Sequence, residues 1–188
     1  MSASTGLPRP DGFPERVRVV EVGTRDGFQA EAEWIPTETK IEVLNSLIAT
    51  GIPQFEATAF VSPRAVPQLR GAAEVMAGVN RTTNARLTAL VPNPRGAEAA
   101  AAAKVDAMVV FVSASESHNL KNLNRPRAET LAGFQEVCRI AEAAGIPVEG
   151  AIATSFGCPF EGNVAIEEVV KIAHTYRDLG LMRIALGA

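Results

Sequence analysis

The segment VVEVGTRDGFQ, residues 19–29, places a guanidinium and a carboxylate side by side directly after an apolar, β-branched run. Arg25 and Asp26 lie between two glycines, and Gln29 follows three residues later. A carboxylate is a hard oxygen ligand that suits a divalent cation, and a guanidinium can stabilise an oxyanion that develops during a reaction. An isolated surface ion pair would contribute little to stability. The position at a strand end therefore favours a chemical role over a simple turn ion pair.

A second carboxylate, Glu56, lies inside the apolar segment QFEATAFV. Burying it without a partner would cost several kcal/mol or force it to take up a proton. We therefore expect Arg25, at the end of the neighbouring strand, to pair with Glu56. Glu21 lies deeper in the first strand and is interpreted as structural.

The remaining candidates carry weaker patterns. His118 and His174 are isolated histidines without metal-ligand spacing, so both are interpreted as structural or solvated. Cys158, in TSFGCPFEG, has no adjacent histidine or lysine and is interpreted as an unactivated thiol. The segment NPRG at 93–96 could hold a phosphate at a helix start, but as a motif it is weak.

Strand-like and helix-like segments alternate along the chain. Apolar, β-branched runs predict strands at 17–22, 54–61, 85–92, 105–115, 147–154 and 182–187. Helical spacing predicts helices at 37–51, 65–79, 94–103, 126–144 and 164–179, with a polar loop after residue 115. This order predicts an α/β fold with a parallel sheet.

Two architectures fit that order, a doubly wound open sheet and a (β/α)₈ TIM barrel. No G-x-G-x-x-G follows the first strand, which argues against a dinucleotide fold. Polar residues instead follow several strands, at the rim where barrels build their sites. We therefore predict a (β/α)₈ barrel of which about six strands are present. Residues 1–16, with three prolines, are predicted to form an extended arm, and residues 17–188 a partial barrel domain.

Composition indicates which classes of partner and which cellular location to expect. The net charge is −3 and basic residues are scattered, which gives no support for a basic nucleic-acid-binding face, so no nucleic-acid partner is expected. No apolar run reaches the ~18 residues of a membrane span, and no signal peptide is apparent. Two cysteines 20 residues apart do not indicate a disulfide framework or a metal cluster. These features predict a protein of the reducing cytoplasm.

Five segments, in order and spacing, carry a family resemblance: VEVGTRDGFQ, FEATAFVSPRAVPQL, VPNPRGAEAA, FVSASESHNLKNLN and GCPFEG. They resemble the 3-hydroxy-3-methylglutaryl-CoA lyases, within the wider metal-dependent lyase and aldolase barrels that have an R-D-G signature. The resemblance runs from about residue 17 to residue 187.

The resemblance implies a role for each candidate residue. Asp26 would bind Mg²⁺ or Mn²⁺, Arg25 would stabilise the enolate oxygen, and Glu56 would orient Arg25. Gln29, Asn93 and Ser113 would contact the substrate. The implied reaction is retro-aldol cleavage of an acyl-CoA to acetyl-CoA and acetoacetate, and the implied assembly is a homo-oligomer, a dimer.

The sequence also departs from the family. The H-x-H metal ligands, an asparagine and a protonating cysteine of the family have no counterpart here, and we expect them beyond Ala188. Ala59, Ala151 and Ala185 stand where the family has a tyrosine and serines, which favours an acyl group with a bulkier or less polar tail. An aldolase or acyltransferase acting on 2-oxo acids, and a non-catalytic fragment or binding module, remain open as alternatives.

Overall fold

The computed structural model describes Gly12, residues 14–81 and residues 84–188. The predicted arm at 1–16 lies largely outside these described residues and stays a prediction. In the described residues, the strands are Val20–Glu21 (β1), Gln54–Ala59 (β2), Arg86–Leu90 (β3), Ala107–Ser113 (β4), Val148–Ala153 (β5) and Arg183–Leu186 (β6). The α-helices are Phe28–Ala30 (α1), Thr37–Ile48 (α2), Ala72–Gly78 (α3), Pro94–Ala102 (α4), Glu116–Leu123 (α5), Arg127–Ala143 (α6) and Ile166–Asp178 (α7).

The described strands form one parallel sheet in the order β1-β2-β3-β4-β5-β6. A doubly wound sheet would reverse its strand order at a switch point, and this sheet does not. Consecutive parallel strands joined by helices are the arrangement of a (β/α)₈ barrel. The barrel prediction is confirmed, with β1 and β6 as the two edges of the described sheet.

The outer face of the sheet packs against the helices and forms the core. Its largest fully buried side chains include Phe55, Leu87, Phe134, Ile152 and Tyr176. On β5, a Cβ added at Gly150 would lie 2.4 Å from the Tyr176 ring, so this ring packs directly on the strand backbone. The Tyr176 hydroxyl donates to the Ala151 carbonyl oxygen at 3.0 Å. Because Gly150 faces outward, Glu149 and Ala151 face the barrel interior.

A charged cluster, here called the floor cluster, lies on the inner face near the amino ends of the strands. It consists of Glu149, Arg86, Arg183 and Gln54. The Glu149 carboxylate accepts from Arg86 Nη1 and Arg183 Nη2, each at 2.5 Å, and its side chain is only 2% exposed. Gln54 Nε2 lies 3.4 Å from Glu149 Oε2. No spacing pattern in the sequence predicts this cluster, because its residues lie on four separate strands.

Three predicted elements differ from the structure. The polar segment after residue 115 was predicted to be a loop, but it forms α5, because Ser115 Oγ accepts from the His118 N–H at 3.1 Å and caps the helix. The helix predicted at 65–79 is divided into a 3₁₀ turn, Pro67–Leu69, and α3. Gly71, with φ +86°, separates the two.

The first strand is also shorter than predicted. The sequence pattern predicted residues 17–22, whereas β1 pairs with β2 only over Val20–Glu21. Val17 and Val19 are 80% and 57% exposed at this edge of the sheet. Both cysteines are free thiols. Among the described residues, no helix is long and apolar enough to cross a membrane.

Candidate active site at the carboxyl ends of the strands

The chain leaves β1 through a π-helical turn, Gly23–Gly27, which places Arg25 and Asp26 at the rim of the barrel. The N–H groups of both residues donate to the Val22 carbonyl oxygen, at 3.0 and 2.7 Å. The Gly23 N–H donates to Glu21 Oε1 at 2.5 Å, and a Cβ at residue 23 would approach that oxygen to 2.8 Å. Glu21 is therefore structural, as the sequence indicated, because its carboxylate accepts the N–H at the start of the turn. Turns of this kind occur frequently at functional sites.

Buried contacts attach the turn to β2. Thr24 is 3% exposed, and its hydroxyl donates to the Glu56 carbonyl oxygen at 3.2 Å. Arg25 Nε donates to Glu56 Oε1 at 2.6 Å, which confirms the predicted pairing. Burial raises the pKa of the Glu56 carboxyl above its ordinary value, and the Arg25 charge opposes that shift. The buried Glu56 carboxylate thus fixes the Arg25 guanidinium against β2.

The same arginine makes a second ion pair toward solvent. Arg25 Nη1 lies 2.6 Å from Asp26 Oδ1, and the Asp26 side chain is 63% exposed. The guanidinium is therefore fixed between a buried carboxylate and an exposed one. An arginine fixed in this way has little freedom to reorganise, which is the property required of a group that stabilises a developing negative charge.

Whether a divalent cation fits this site depends on the side-chain atoms that could bind it. Asp26 offers an exposed carboxylate oxygen of the kind Mg²⁺ and Mn²⁺ prefer. Within the described ranges, however, no group of three or more histidine, cysteine, aspartate or glutamate side chains is placed to hold a metal ion. The described residues therefore supply one ligand but not a complete coordination sphere.

Two of the predicted substrate-binding residues lie at the same rim as Arg25. Gln29 is exposed on the short helix α1, directly after the π-helical turn. Asn93 follows β3 at the same rim, where its Oδ1 accepts from the Gly96 N–H at 2.9 Å and caps α4. The Asn93 side-chain oxygen thus already has a structural partner.

Ser113, the third predicted substrate-binding residue, is completely buried. Its Oγ lies 2.6 Å from His118 Nδ1, and its N–H donates to Asn119 Oδ1 at 3.1 Å. Asn119 in turn donates to Thr130 Oγ1 and to the Arg125 carbonyl oxygen. In this arrangement Ser113 orients the imidazole of His118 and does not face solvent.

His118, interpreted from the sequence as structural or solvated, is held by the Ser113 hydroxyl. Cys158 Sγ lies 3.0 Å from Ser115 Oγ, so the loop after β5 is joined to the start of α5. Although burial raises the pKa of the Cys158 thiol, hydrogen bonds from Ser115 and from the backbone of Phe160 and Glu161 lower it below its ordinary value. The interpretation of Cys158 as an unactivated thiol stays a prediction. The start of α5 did have a signal in the sequence, because Ser115 followed by Glu116 is a typical helix start.

A parallel sheet in consecutive strand order, with an arginine and carboxylates at its carboxyl ends, defines a barrel protein with its site at the rim. The sequence matches the HMGL-like family over residues 16–188. The chain belongs to this family.

Individual relatives agree with that assignment. The chain is 44% identical to the mitochondrial hydroxymethylglutaryl-CoA lyase of Gallus gallus, over 93% of this chain and 59% of the relative. It is 40% identical to the hydroxymethylglutaryl-CoA lyase YngG of Bacillus subtilis, over 93% of this chain and 58% of the relative. The chain thus spans somewhat more than half the length of the curated relatives that it matches.

Solved structures give the same result for the fold. The Bacillus subtilis HMG-CoA lyase superposes with a TM-score of 0.90 at 40% identity, covering 94% of this chain and 59% of that one. An HMG-CoA lyase from Acinetobacter baumannii, in complex with coenzyme A and 3-methylmalate, superposes with a TM-score of 0.87 at 39% identity, covering 90% and 55%.

Proposed function

We propose that this chain forms the site-bearing part of an acyl-CoA lyase that cleaves a 3-hydroxy-3-methylglutaryl-CoA-like thioester to acetyl-CoA and acetoacetate, or to a 3-oxo acid analogue. The observation that carries the proposal is Arg25 held by Glu56 at 2.6 Å, beside the exposed Asp26, at the end of β1. The names of the relatives, hydroxymethylglutaryl-CoA lyases at 40% and 44% identity, support the same reaction.

The reaction defines what the site must do. The 3-hydroxyl group loses its proton, the C2–C3 bond breaks, and C3 becomes the ketone carbon of acetoacetate. The electron pair of the broken bond passes to C2 and the thioester oxygen as an enolate, which is then protonated at C2 to give acetyl-CoA. Negative charge therefore develops on the thioester oxygen during cleavage.

Arg25 is suited to that charge. Its guanidinium lies at the rim with little freedom to move, and it would donate to the enolate oxygen as the charge develops. Glu56 acts through Arg25 as a positioning residue, because its carboxylate accepts from Nε and fixes the plane of the guanidinium. Gln29, on helix α1, and Asn93, at the same rim, would contact the substrate. Ser113 is buried and would instead act by orienting His118.

Asp26 is proposed as one ligand of a Mg²⁺ or Mn²⁺ ion, because its carboxylate is exposed and oxygen-rich sites suit these ions. When bound, such an ion polarises the substrate oxygens and makes the 3-hydroxyl group more acidic. The other ligands would come from residues outside those the structure describes.

The side chains on the inner wall of the barrel indicate the polarity and length of the acyl group that the site accepts. Ala151 pairs in register with Phe111 on one side and Ala185 on the other, and none of the three carries a polar side chain. Ala59 is 1% exposed at the end of β2. We propose that this wall accepts an apolar substituent at C3 longer than a methyl group. A series of thioesters with increasing C3 chain length tests this, and strict preference for methyl contradicts it.

We further propose a homo-oligomer, a dimer, as the family resemblance implies. A reducing, cytoplasmic location is proposed from the two free thiols.

The function is tested by incubating the full-length gene product with 3-hydroxy-3-methylglutaryl-CoA and Mn²⁺ or Mg²⁺, and measuring acetoacetate. Acetoacetate formation that Arg25→Ala abolishes supports the proposal. Cleavage or condensation only with 2-oxo acids would instead indicate an aldolase or acyltransferase. Binding of coenzyme A without turnover on any thioester, with any divalent cation, would indicate a non-catalytic protein.

A further inference from the structure

A histidine on α5 lies against the inner face of the barrel at the carboxyl end of β4. Ser113, the last residue of β4, faces the interior, because side chains alternate along a strand and its neighbours Val112 and Ala114 both belong to the outer hydrophobic core. The His118 ring contacts this serine, with Nδ1 2.6 Å from the Ser113 Oγ. The imidazole of His118 therefore lies at the mouth of the barrel.

The Ser113 hydroxyl determines which nitrogen of the imidazole carries the hydrogen. Ser113 is completely buried, so its O–H group needs an acceptor. Within the described residues, His118 Nδ1 is the only hydrogen-bond partner of that hydroxyl, so Ser113 donates to Nδ1. The hydrogen of the neutral imidazole is then on Nε2. In the described part of the chain, no group accepts a hydrogen bond from this Nε2–H donor.

The loop after β5, residues 154–163, holds a second ring beside the imidazole. The centroid of the Phe160 ring lies 6.0 Å from that of His118. Glu161 Oε1 accepts from the Ser117 N–H at 2.6 Å, which attaches the loop to the first turn of α5. The imidazole thus has a serine on one side and a phenylalanine on another, so its orientation is fixed.

The backbone at the start of this loop is strained. Thr154 has φ +56°, a conformation that β-branched residues rarely adopt. Its hydroxyl accepts from the Ser115 N–H at 3.2 Å, and this contact joins the ends of β4 and β5. Strained residues of this type persist where the surrounding contacts hold them, and they cluster at functional sites. The strain is a second, independent indication that the ends of β4 and β5 form part of a site.

The inner wall below the imidazole is apolar. Phe111, Ala151 and Ala185, one layer deeper on β4, β5 and β6, pair in register, and none of them carries a hydrogen-bond donor in its side chain. Arg25 lies at the end of β1, which β2 and β3 separate from β4 in the sheet. A ligand across the mouth would therefore meet a cation near β1, an apolar wall, and the Nε2–H of His118 near β4. This arrangement fits a short carbon chain with an anionic oxygen at each end.

We propose that His118 determines the specificity of the site for the acyl group, by donating from Nε2 to the carboxylate at the far end of that group. The inference rests on the proposed function, in which Arg25 stabilises the thioester oxygen. The terminal carboxylate of a glutaryl-type acyl group then needs another donor, because an unpaired carboxylate is costly to bury. Hydrogen bonds to ionised acceptors are the stronger ones. Ser113 acts through His118 as a positioning residue.

The kinetic test compares 3-hydroxy-3-methylglutaryl-CoA with its C5 amide in the full-length gene product. His118→Asn keeps an oxygen that can accept from Ser113 but removes the Nε2 donor. This variant should lower kcat/KM for the carboxylate substrate by about 10- to 100-fold, and for the amide by less than about threefold. His118→Gln, which returns an N–H near the Nε2 position, should recover most of the loss. An equal loss with both substrates, as a purely structural role predicts, overturns the inference, and so does no loss with either.

The matched control is His174→Asn, at an exposed histidine on α7, which should behave as the wild type does with both substrates. A loss in this variant as large as that in His118→Asn would also overturn the inference.

NMR of ¹⁵N-labelled histidine decides the inference without turnover. The signal that disappears in His118→Asn should show a neutral ring with hydrogen on Nε2, and Ser113→Ala should remove that preference. Addition of the free dicarboxylate 3-hydroxy-3-methylglutarate should shift the Nε2 signal in a saturable manner. No shift at any concentration overturns the inference, even in a protein that cleaves the thioester. A saturable shift in a protein that cleaves no thioester supports the inference and contradicts the proposed function, so the two failures are distinguishable.

Discussion

Two regions of the barrel interior use the same residue types in opposite arrangements. In the floor cluster, one carboxylate, Glu149, lies between two arginines and is 2% exposed. At the rim, one arginine, Arg25, lies between two carboxylates, and the Asp26 carboxylate is 63% exposed. In the floor cluster, the opposite charges pair with each other. The rim leaves one carboxylate and the edge of a guanidinium available to a ligand.

The two regions share their residue types and differ in exposure. Buried carboxylates must be paired, since an unpaired one would carry a large desolvation cost. A rim charge can remain incompletely paired because water or substrate solvates it. If this account is correct, changes in the floor cluster should affect stability, and changes at the rim should affect turnover.

The largest effect is expected from Glu149→Gln. Removing this charge leaves Arg86 and Arg183 facing each other in the barrel interior, which should cost about 3–5 kcal/mol of unfolding free energy. Urea denaturation followed by circular dichroism measures it. Glu136→Gln, which removes an exposed carboxylate from α6, is the control and should change stability by less than about 0.5 kcal/mol. A similar small change in Glu149→Gln would mean that the floor cluster does not stabilise the fold.

The next effect is expected from Arg25 in the full-length gene product. Arg25→Ala should lower turnover by about 10²–10³-fold, because the enolate charge appears only as the C–C bond breaks. Arg25→Lys should also be impaired, since a lysine lacks the planar fork. KM should change much less in both variants.

Steady-state kinetics with the acyl-CoA substrate makes that measurement, and Arg177→Ala, at an exposed pair with Asp178, is the control. Normal turnover with only a raised KM in Arg25→Ala would make Arg25 a binding residue. The rim would then differ from the floor cluster because it binds the substrate, and not because it accelerates cleavage.

A smaller effect concerns the ionisation of Glu56. Burial raises the pKa of this carboxyl and the Arg25 charge opposes the rise. Arg25→Gln removes the opposing charge, so the pKa of Glu56 should rise further. Carbon-detected NMR of ¹³C-labelled glutamate side chains measures it in both proteins. An unchanged or lowered pKa would show that the ion pair does not form in solution.

The smallest effect is expected from Asn93→Ala. Loss of the helix cap on α4 should cost about 1 kcal/mol of unfolding free energy. If Asn93 also contacts substrate, as the sequence predicted, KM should rise as well. Thermal denaturation and steady-state kinetics on the same variant separate the cap from the binding role. Asn93→Asp, which retains a capping oxygen, should recover most of the stability.

The sequence by itself determined the order of the elements and the position of the rim pair. Alternation of apolar strands with helical patterns depends only on local spacing, so the six strands were located to within a few residues. The pairing of Arg25 with Glu56 also followed from the sequence, because a carboxylate inside an apolar strand has to find a cation. These inferences need only the residues and the direction in which parallel strands run.

Tertiary structure decided the rest, because it depends on contacts between residues distant in sequence. Helix α5 has no strong apolar face, so its periodicity did not predict it, and a cap from Ser115 together with contacts to β4 stabilises it. Arg64 and Arg95 belong to separate segments, and the packing of α3 and α4 on different neighbours brings them to one surface groove. The sequence predicts that Ser113 lies at the rim, whereas the fold buries it against His118. The sequence could not show this, because the burial of a strand end depends on which helix covers it.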